Sequence, residues 1–241
     1  MFNNPSPTLR IAVYGSEIDL PRRNIGLWHS GYQGFITAAG ATPVFLKAAI
    51  GDRPWDEIID DCIGVVVCGF NQGPTKHGDM ESLCQWAKAS RFPILGIDRG
   101  LLALNAALGG LNYEDLPREL PEALQHRHPP ELGLRHAILV QPDTQLARIY
   151  GEGEIVVNSE HRQAVQRVAK DFNVGATALD GVIEAIEHKN DSWFAMGVQW
   201  QPASPSASGL DIQVFRGVMD GAQAAIANGT VRKSRKLAMA V

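Results

Sequence analysis

Pro93-Ile94-Leu95-Gly96-Ile97-Asp98-Arg99-Gly100 runs directly into Leu101-Leu102-Ala103-Leu104-Asn105-Ala106-Ala107-Leu108-Gly109-Gly110, and this passage decides the fold. A short apolar run enters one residue that has a glycine two positions to either side, and a helix of apolar periodicity leaves it. That pattern of strand, sharp turn and helix is a nucleophile elbow. Glycines at 96 and 100 let the turn close without Cβ clashes, lift the central side chain above the sheet edge and aim the next backbone N–H at a reacting carbonyl. The central residue is Asp98.

Outward from the elbow, Leu9-Arg10-Ile11-Ala12-Val13-Tyr14-Gly15 reads as a buried first strand, near-continuously apolar as parallel strands are. The segment through Trp28 and Tyr32 to Ala39-Gly40 reads as a helix closed by Gly40. Thr42 to Leu46 and Ile63 to Gly69 are the next strands, and Phe70-Asn71-Gln72-Gly73-Pro74 is a loop at the carboxyl end of the latter, the edge where open α/β sheets bind ligands. Arg135 to Val140, Glu154 to Val157, Val182 to Glu187 and Phe194 to Trp200 read as further strands, and Gly209 to Ala227 as an apolar-periodic closing helix. Strands separated by helices predict an α/β fold, a flavodoxin-like, doubly wound and mostly parallel sheet with helices on both faces. A single domain over 1–241 is expected, its core at about 9–226, with a solvated basic tail at 228–241.

The chain has 241 residues, enough for one large domain with a substantial core. Hydrophobic residues make up 45% and charged residues 20%, the balance of a soluble globular protein. A net charge of −4 points to neither a nucleic-acid nor an anionic-membrane partner. Met1-Phe2-Asn3-Asn4-Pro5-Ser6-Pro7 has no basic region followed by an apolar run, so a cytoplasmic location is expected. The three cysteines, Cys62, Cys68 and Cys84, lack metal-like spacing and read as reduced thiols. Cys68 sits at the reactive sheet edge, but a cysteine in an apolar strand reads first as a small core residue. His126, His128 and His136 lie in or near a proline-rich stretch with no cysteine among them. They read as residues of an exposed loop, and neither a metal nor a cofactor is expected.

Three blocks resemble the class I glutamine amidotransferases, and within them the γ-glutamyl hydrolases of the peptidase C26 type. These are Pro93 to Pro117; Val157-Asn158-Ser159-Glu160-His161-Arg162-Gln163-Ala164-Val165; and Asp180-Gly181-Val182-Ile183-Glu184-Ala185 running on to Phe194-Ala195-Met196-Gly197-Val198-Gln199-Trp200-Gln201-Pro202. The resemblance implies a catalytic Cys, His and Glu at positions that here hold Asp98, Gln201 and Ala203. A carboxylate is a far poorer nucleophile toward an amide than a thiolate, Gln201 has no titratable nitrogen, and Ala203 can orient nothing. Gln201 is suited to donate its amide N–H to Asp98. The resemblance also implies ligand contacts from Gly69 and Phe70 in the oxyanion loop, from Arg99 beside the elbow, and from Asn158, Ser159 and Gln163; a second oxyanion glycine is replaced by Phe70. His161 lies in a block that the resemblance puts close to the centre, which makes it the candidate base for Asp98.

Three readings of this altered site stay open. The first is a non-catalytic homologue that binds a small γ-glutamyl or amino-acid-like ligand, or a partner subunit, through the retained cleft. The second is a repurposed hydrolase using Asp98, and the third a residual γ-glutamyl hydrolase using an unorthodox cysteine. C26-like relatives act alone, often as homodimers, which is the assembly that the resemblance implies.

Overall fold

The computed structural model describes residues 9–15, 25–46, 53–69, 78–127 and 133–231. In chain order the elements are β1 (Arg10–Gly15), α1 (Ile25–Ala38), β2 (Thr42–Phe45), α2 (Trp55–Ile58), β3 (Gly64–Gly69), α3 (Gly78–Ser90), β4 (Ile94–Asp98), α4 (Arg99–Ala107), β5 (Leu111–Tyr113) and α5 (Leu116–Glu119). The second half holds β6 (Arg135–Val140), α6 (Gln145–Tyr150), β7 (Gly153–Asn158), β8 (Ala164–Arg167), β9 (Phe172–Ala178), β10 (Ile183–His188), β11 (Ala195–Val198) and α7 (Ile212–Ala227). A short 3-10 turn, Gly209–Asp211, opens α7, where the sequence pattern had suggested one continuous helix.

The sheet runs β2-β1-β3-β4-β11-β10-β9-β6-β7, with β5 and β8 as a ribbon against β10. From β2 to β11 the pairs are parallel, as a doubly wound sheet requires. From β11 onward every pair is antiparallel, so the parallel character is confined to the half that carries the elbow. That half is covered on both faces, which explains its unbroken apolar strands. In β3, Val66 and Cys68 face a core shared with Tyr32 of α1 and Phe215 of α7. Val65 and Val67 face the opposite core with Leu83 of α3 and Leu101 of α4. The two-residue period of a strand makes this division. Among the described residues no helix is long and apolar enough to cross a membrane.

β5, β8 and β9 have no counterpart in the sequence pattern, because each is short or interrupted by small and polar residues, as in Phe172-Asn173-Val174-Gly175-Ala176-Thr177-Ala178. Residues Phe70 to Pro74, His128 and the tail from Arg232 onward lie outside the described residues.

Candidate functional site

Three parallel strands end at the same sheet edge. Gly69 of β3 is in register with Asp98 of β4, and Val198 of β11 with Ile97. Asp98 is therefore presented at the carboxyl edge, with the ends of β3 and β11 on either side, at the place where this class of sheet builds sites.

The elbow has the geometry that its glycines foretell. Asp98 stands at φ 51°, ψ −106°, a left-handed conformation that is costly for a residue with a Cβ. The chain folds back so tightly that a Cβ on Gly96 would lie 2.6 Å from the Gly100 carbonyl oxygen, and one on Gly100 would lie 1.8 Å from that of Val67. α4 begins at the next residue, so the Asp98 side chain sits beside the positive end of a helix.

The Asp98 carboxylate is buried and held by two amides. Gln201 donates Nε2–H to Asp98 Oδ2 at 3.0 Å and to the Gly69 carbonyl at 3.1 Å. Gln199 donates Nε2–H to Asp98 Oδ1 at 2.8 Å. Both amide hydrogens of Gln201 are thus engaged, and Gln201 is fixed further by Asn158, which accepts from its backbone N–H at 2.9 Å and donates to its carbonyl at 3.0 Å. Gln199 is not among the expected site residues. Its signal was the two-residue spacing from Gln201 at the end of a strand, which puts both side chains on one side of an extended backbone. Ala203 is buried with its carbonyl against α1, 2.0 Å from where a Cβ on Gly31 would stand. Arg99 is buried, its side chain packed against Gly69.

The other expected site residues turn elsewhere. Ser159 donates to the His126 carbonyl at 2.8 Å, and Gln163 donates to Glu114 at 2.9 Å. His161 does not face Asp98: its Nδ1 is 2.9 Å from the Gln163 carbonyl and its Nε2 is 3.2 Å from Glu184 Oε1. The candidate base is therefore committed to a second cluster, and the exposed-loop reading of His126 and His136 is corrected with it. His126 is 3% exposed, and its ring lies 4.7 Å from that of His161 and 4.8 Å from that of His136, centroid to centroid. All three surround Glu184, which has no solvent exposure. Burial by itself would raise the Glu184 carboxyl; the adjoining His161, His126 and His136 rings outweigh it and hold it at about 2.

The cysteines are core residues. Burial pushes the Cys68 and Cys84 thiols far up and the Cys62 thiol to about 11, so none offers a thiolate near neutral pH.

With this geometry in view, the comparisons with known proteins fall into place. The model of the Peptidase C26 family matches residues 74–203. An Escherichia coli K12 protein, gamma-glutamyl-gamma-aminobutyrate hydrolase PuuD, is 36% identical over 221 residues, covering 81% of this chain and 86% of its own. The chain belongs to the peptidase C26 family. A Mycobacterium tuberculosis relative that carries a glutamine amidotransferase name is 36% identical over 235 residues, covering 87% of this chain and 74% of its own. Two solved structures share the fold at low identity. The glutaminase domain of Trypanosoma brucei CTPS matches with TM-score 0.64 and 18% identity over 90% of this chain and 94% of that one. A Thermotoga maritima glutamine amidotransferase matches with TM-score 0.57 and 14% identity over 97% and 90%. In this peptidase C26 member, then, the elbow backbone is intact and the side chain that it presents is a carboxylate.

Proposed function

We propose that this chain is a non-catalytic peptidase C26 homologue whose elbow holds a ligand rather than cleaving it. The observation that carries this reading is the clamp on Asp98, where Gln199 and Gln201 occupy one lone-pair site on each carboxylate oxygen. A carboxylate so held is stabilised as an acceptor, which weakens it further as a nucleophile. His161, His126 and His136 gather around Glu184 and away from Asp98. None of these three is placed to act as a general base on Asp98.

At the place where the family's thiolate attacks a γ-carbonyl, this chain offers an acceptor that suits an amide N–H or an ammonium. A small γ-glutamyl or amino-acid-like compound meets that requirement through its nitrogen.

The test is incubation of the purified protein, at high concentration, with glutamine and a panel of γ-glutamyl amides, following glutamate release beside an Asp98→Ala control. The expected outcome is no release, together with thermal stabilisation by a panel member that Asp98→Ala abolishes. Release that disappears in Asp98→Ala would overturn the reading in favour of a site rebuilt around the carboxylate. Release that persists in Asp98→Ala and disappears when Cys62, Cys68 and Cys84 are all replaced would favour the cysteine version.

A further inference from the structure

The His126, His136, His161 and Glu184 side chains converge from four separate segments: the loop after α5, strand β6, the loop between β7 and β8, and strand β10. Their inward atoms, one per residue, all lie within 4.8 Å of one another. Glu184 Oε1 is 3.2 Å from His126 Nδ1, 3.2 Å from His161 Nε2 and 3.6 Å from His136 Nε2. None of these three contacts is aligned as a hydrogen bond, and the three inward nitrogens and both Glu184 oxygens are buried without hydrogen-bond partners. For a native interior that is an exceptional concentration of unsatisfied polar atoms.

The outward nitrogens are all engaged. His126 Nε2 is 3.0 Å from Asp180 Oδ2, His136 Nδ1 is 3.1 Å from the Ala137 carbonyl, and His161 Nδ1 is 2.9 Å from the Gln163 carbonyl. An acceptor outside each ring fixes the proton on the outer nitrogen and leaves the inner lone pair free. Asp180 is itself held, accepting N–H bonds from Leu124 at 2.6 Å and Val182 at 3.1 Å. Three imidazole nitrogens crowded round one carboxylate, none aligned with it, form a donor set that a cation between them would satisfy.

We propose that this cluster is a binding site for a divalent transition metal ion of the zinc type, with His126 Nδ1, His136 Nε2, His161 Nε2 and the Glu184 carboxylate as its four ligands. Three imidazoles and a carboxylate are donors that zinc accepts in tetrahedral sites. Outer N–H groups bound to a carboxylate or carbonyl are the supporting shell that metal-ligating histidines carry. Ligand atoms on a tetrahedral zinc with bonds of about 2.0 Å stand about 3.3 Å apart, close to the 3.2, 3.2 and 3.6 Å measured from Glu184 Oε1. Four protein ligands in a buried position leave no place for substrate, so the site is structural.

Its place in the fold gives it a task. The Gln199 N–H donates to the Glu184 carbonyl at 2.8 Å, and Ser159 Oγ bonds the His126 carbonyl. The ion would pin the loops around 126 and 161 to β10, beside the strand end whose Gln199 holds Asp98.

The experiment uses the untagged, full-length wild-type protein, stripped with a chelator and then given Zn²⁺ or Co²⁺ with dialysis to remove excess. The expected result is one Zn²⁺ retained per chain, a melting temperature raised by several degrees over the stripped protein, and a Co²⁺ form with intense visible absorption typical of tetrahedral N/O ligation. Glu184→Gln and His136→Asn, each checked for a folded circular dichroism spectrum, should lose the bound metal, whereas His188→Ala, outside the cluster, should keep it. Metal content at background in the wild type, with no shift in melting temperature and no cobalt absorption, would overturn the proposal and leave the cluster as a proton-linked network. Because the cobalt spectrum and stoichiometry are read on the wild type, a variant that misfolds does not shield the proposal.

Discussion

The elbow around Asp98 and the histidine cluster around Glu184 are opposites in how they hold free energy. At the elbow the backbone is strained, with Asp98 at φ 51°, while its carboxylate oxygens are each hydrogen-bonded. In the cluster the four residues have no left-handed backbone, and the inward side-chain atoms are unsatisfied. Strain persists only where surrounding packing over-determines it, and here glycine-sized gaps between β3, β4 and α4 do so. Unsatisfied buried donors and acceptors persist only where something else completes them or where other contacts offset their cost. The two regions also differ in what a substitution can remove: at the elbow the shape outlives the chemistry, whereas in the cluster the chemistry is the shape.

The sharpest way to break this contrast is at the turn itself. Gly100→Ala sets a Cβ 1.8 Å from the Val67 carbonyl oxygen, a backbone clash that no rotamer relieves. We expect a loss of about 4 kcal/mol or more, read as failure to accumulate as folded protein or as a collapsed denaturation midpoint. A variant within about 1 kcal/mol of wild type would show that the elbow is looser than its geometry.

A second, smaller effect concerns the clamp. Gln201→Leu removes the donor to both Gly69 and Asp98, leaving a buried carboxylate with one amide fewer. The expected destabilisation is about 2 to 3 kcal/mol, and it should shrink by about 1 kcal/mol in an Asp98→Ala background if the two side chains are coupled. Additivity in that double-mutant cycle would detach Gln201 from the elbow.

Strain can be isolated by comparing Asp98→Gly with Asp98→Ala. Both lose the carboxylate, yet only alanine keeps a Cβ at φ 51°. The glycine variant should be the more stable by about 1 to 2 kcal/mol in urea denaturation. Equal stability would mean that the backbone relaxes once the carboxylate is gone, and that the strain belongs to the clamp.

The smallest effect is one of reactivity. Burial raises all three thiols, Cys62 to about 11, so a disulfide reagent at pH 7.5 should label none of them in the folded protein and all three in guanidinium. A raised thiol pKa keeps the unreactive protonated form dominant until pH approaches that value. Native labelling of Cys68 at the rate of a free thiol would restore it as a candidate nucleophile.

Legibility in the sequence followed the locality of each signal. The elbow was readable because its determinants, Gly96, Asp98 and Gly100, fall within five positions of one another. The parallel strands were readable because burial on both faces writes an unbroken apolar run. The antiparallel half was only partly so: β9 mixes Asn173, Gly175 and Thr177 into its length, and β8 has four residues. His126 was misread because prolines at 129 and 130 follow it closely, and local composition speaks of a loop without saying what the loop covers. Asn158 braces the Gln201 backbone and Ser159 the His126 segment, a role that residue type alone does not distinguish from ligand contact.

What the sequence by itself determined is the α/β class, the elbow and the identity of the residue at its apex, since periodicity and glycine spacing are properties of short stretches. The tertiary structure decided which distant groups meet. It brought Gln199 to Asp98, turned His161 away from Asp98 toward Glu184, and closed three histidines around that carboxylate. Those meetings depend on the order in which β4, β11, β10 and β6 lie across the sheet. Strand order is set by the packing of the whole chain, and no window of sequence contains it.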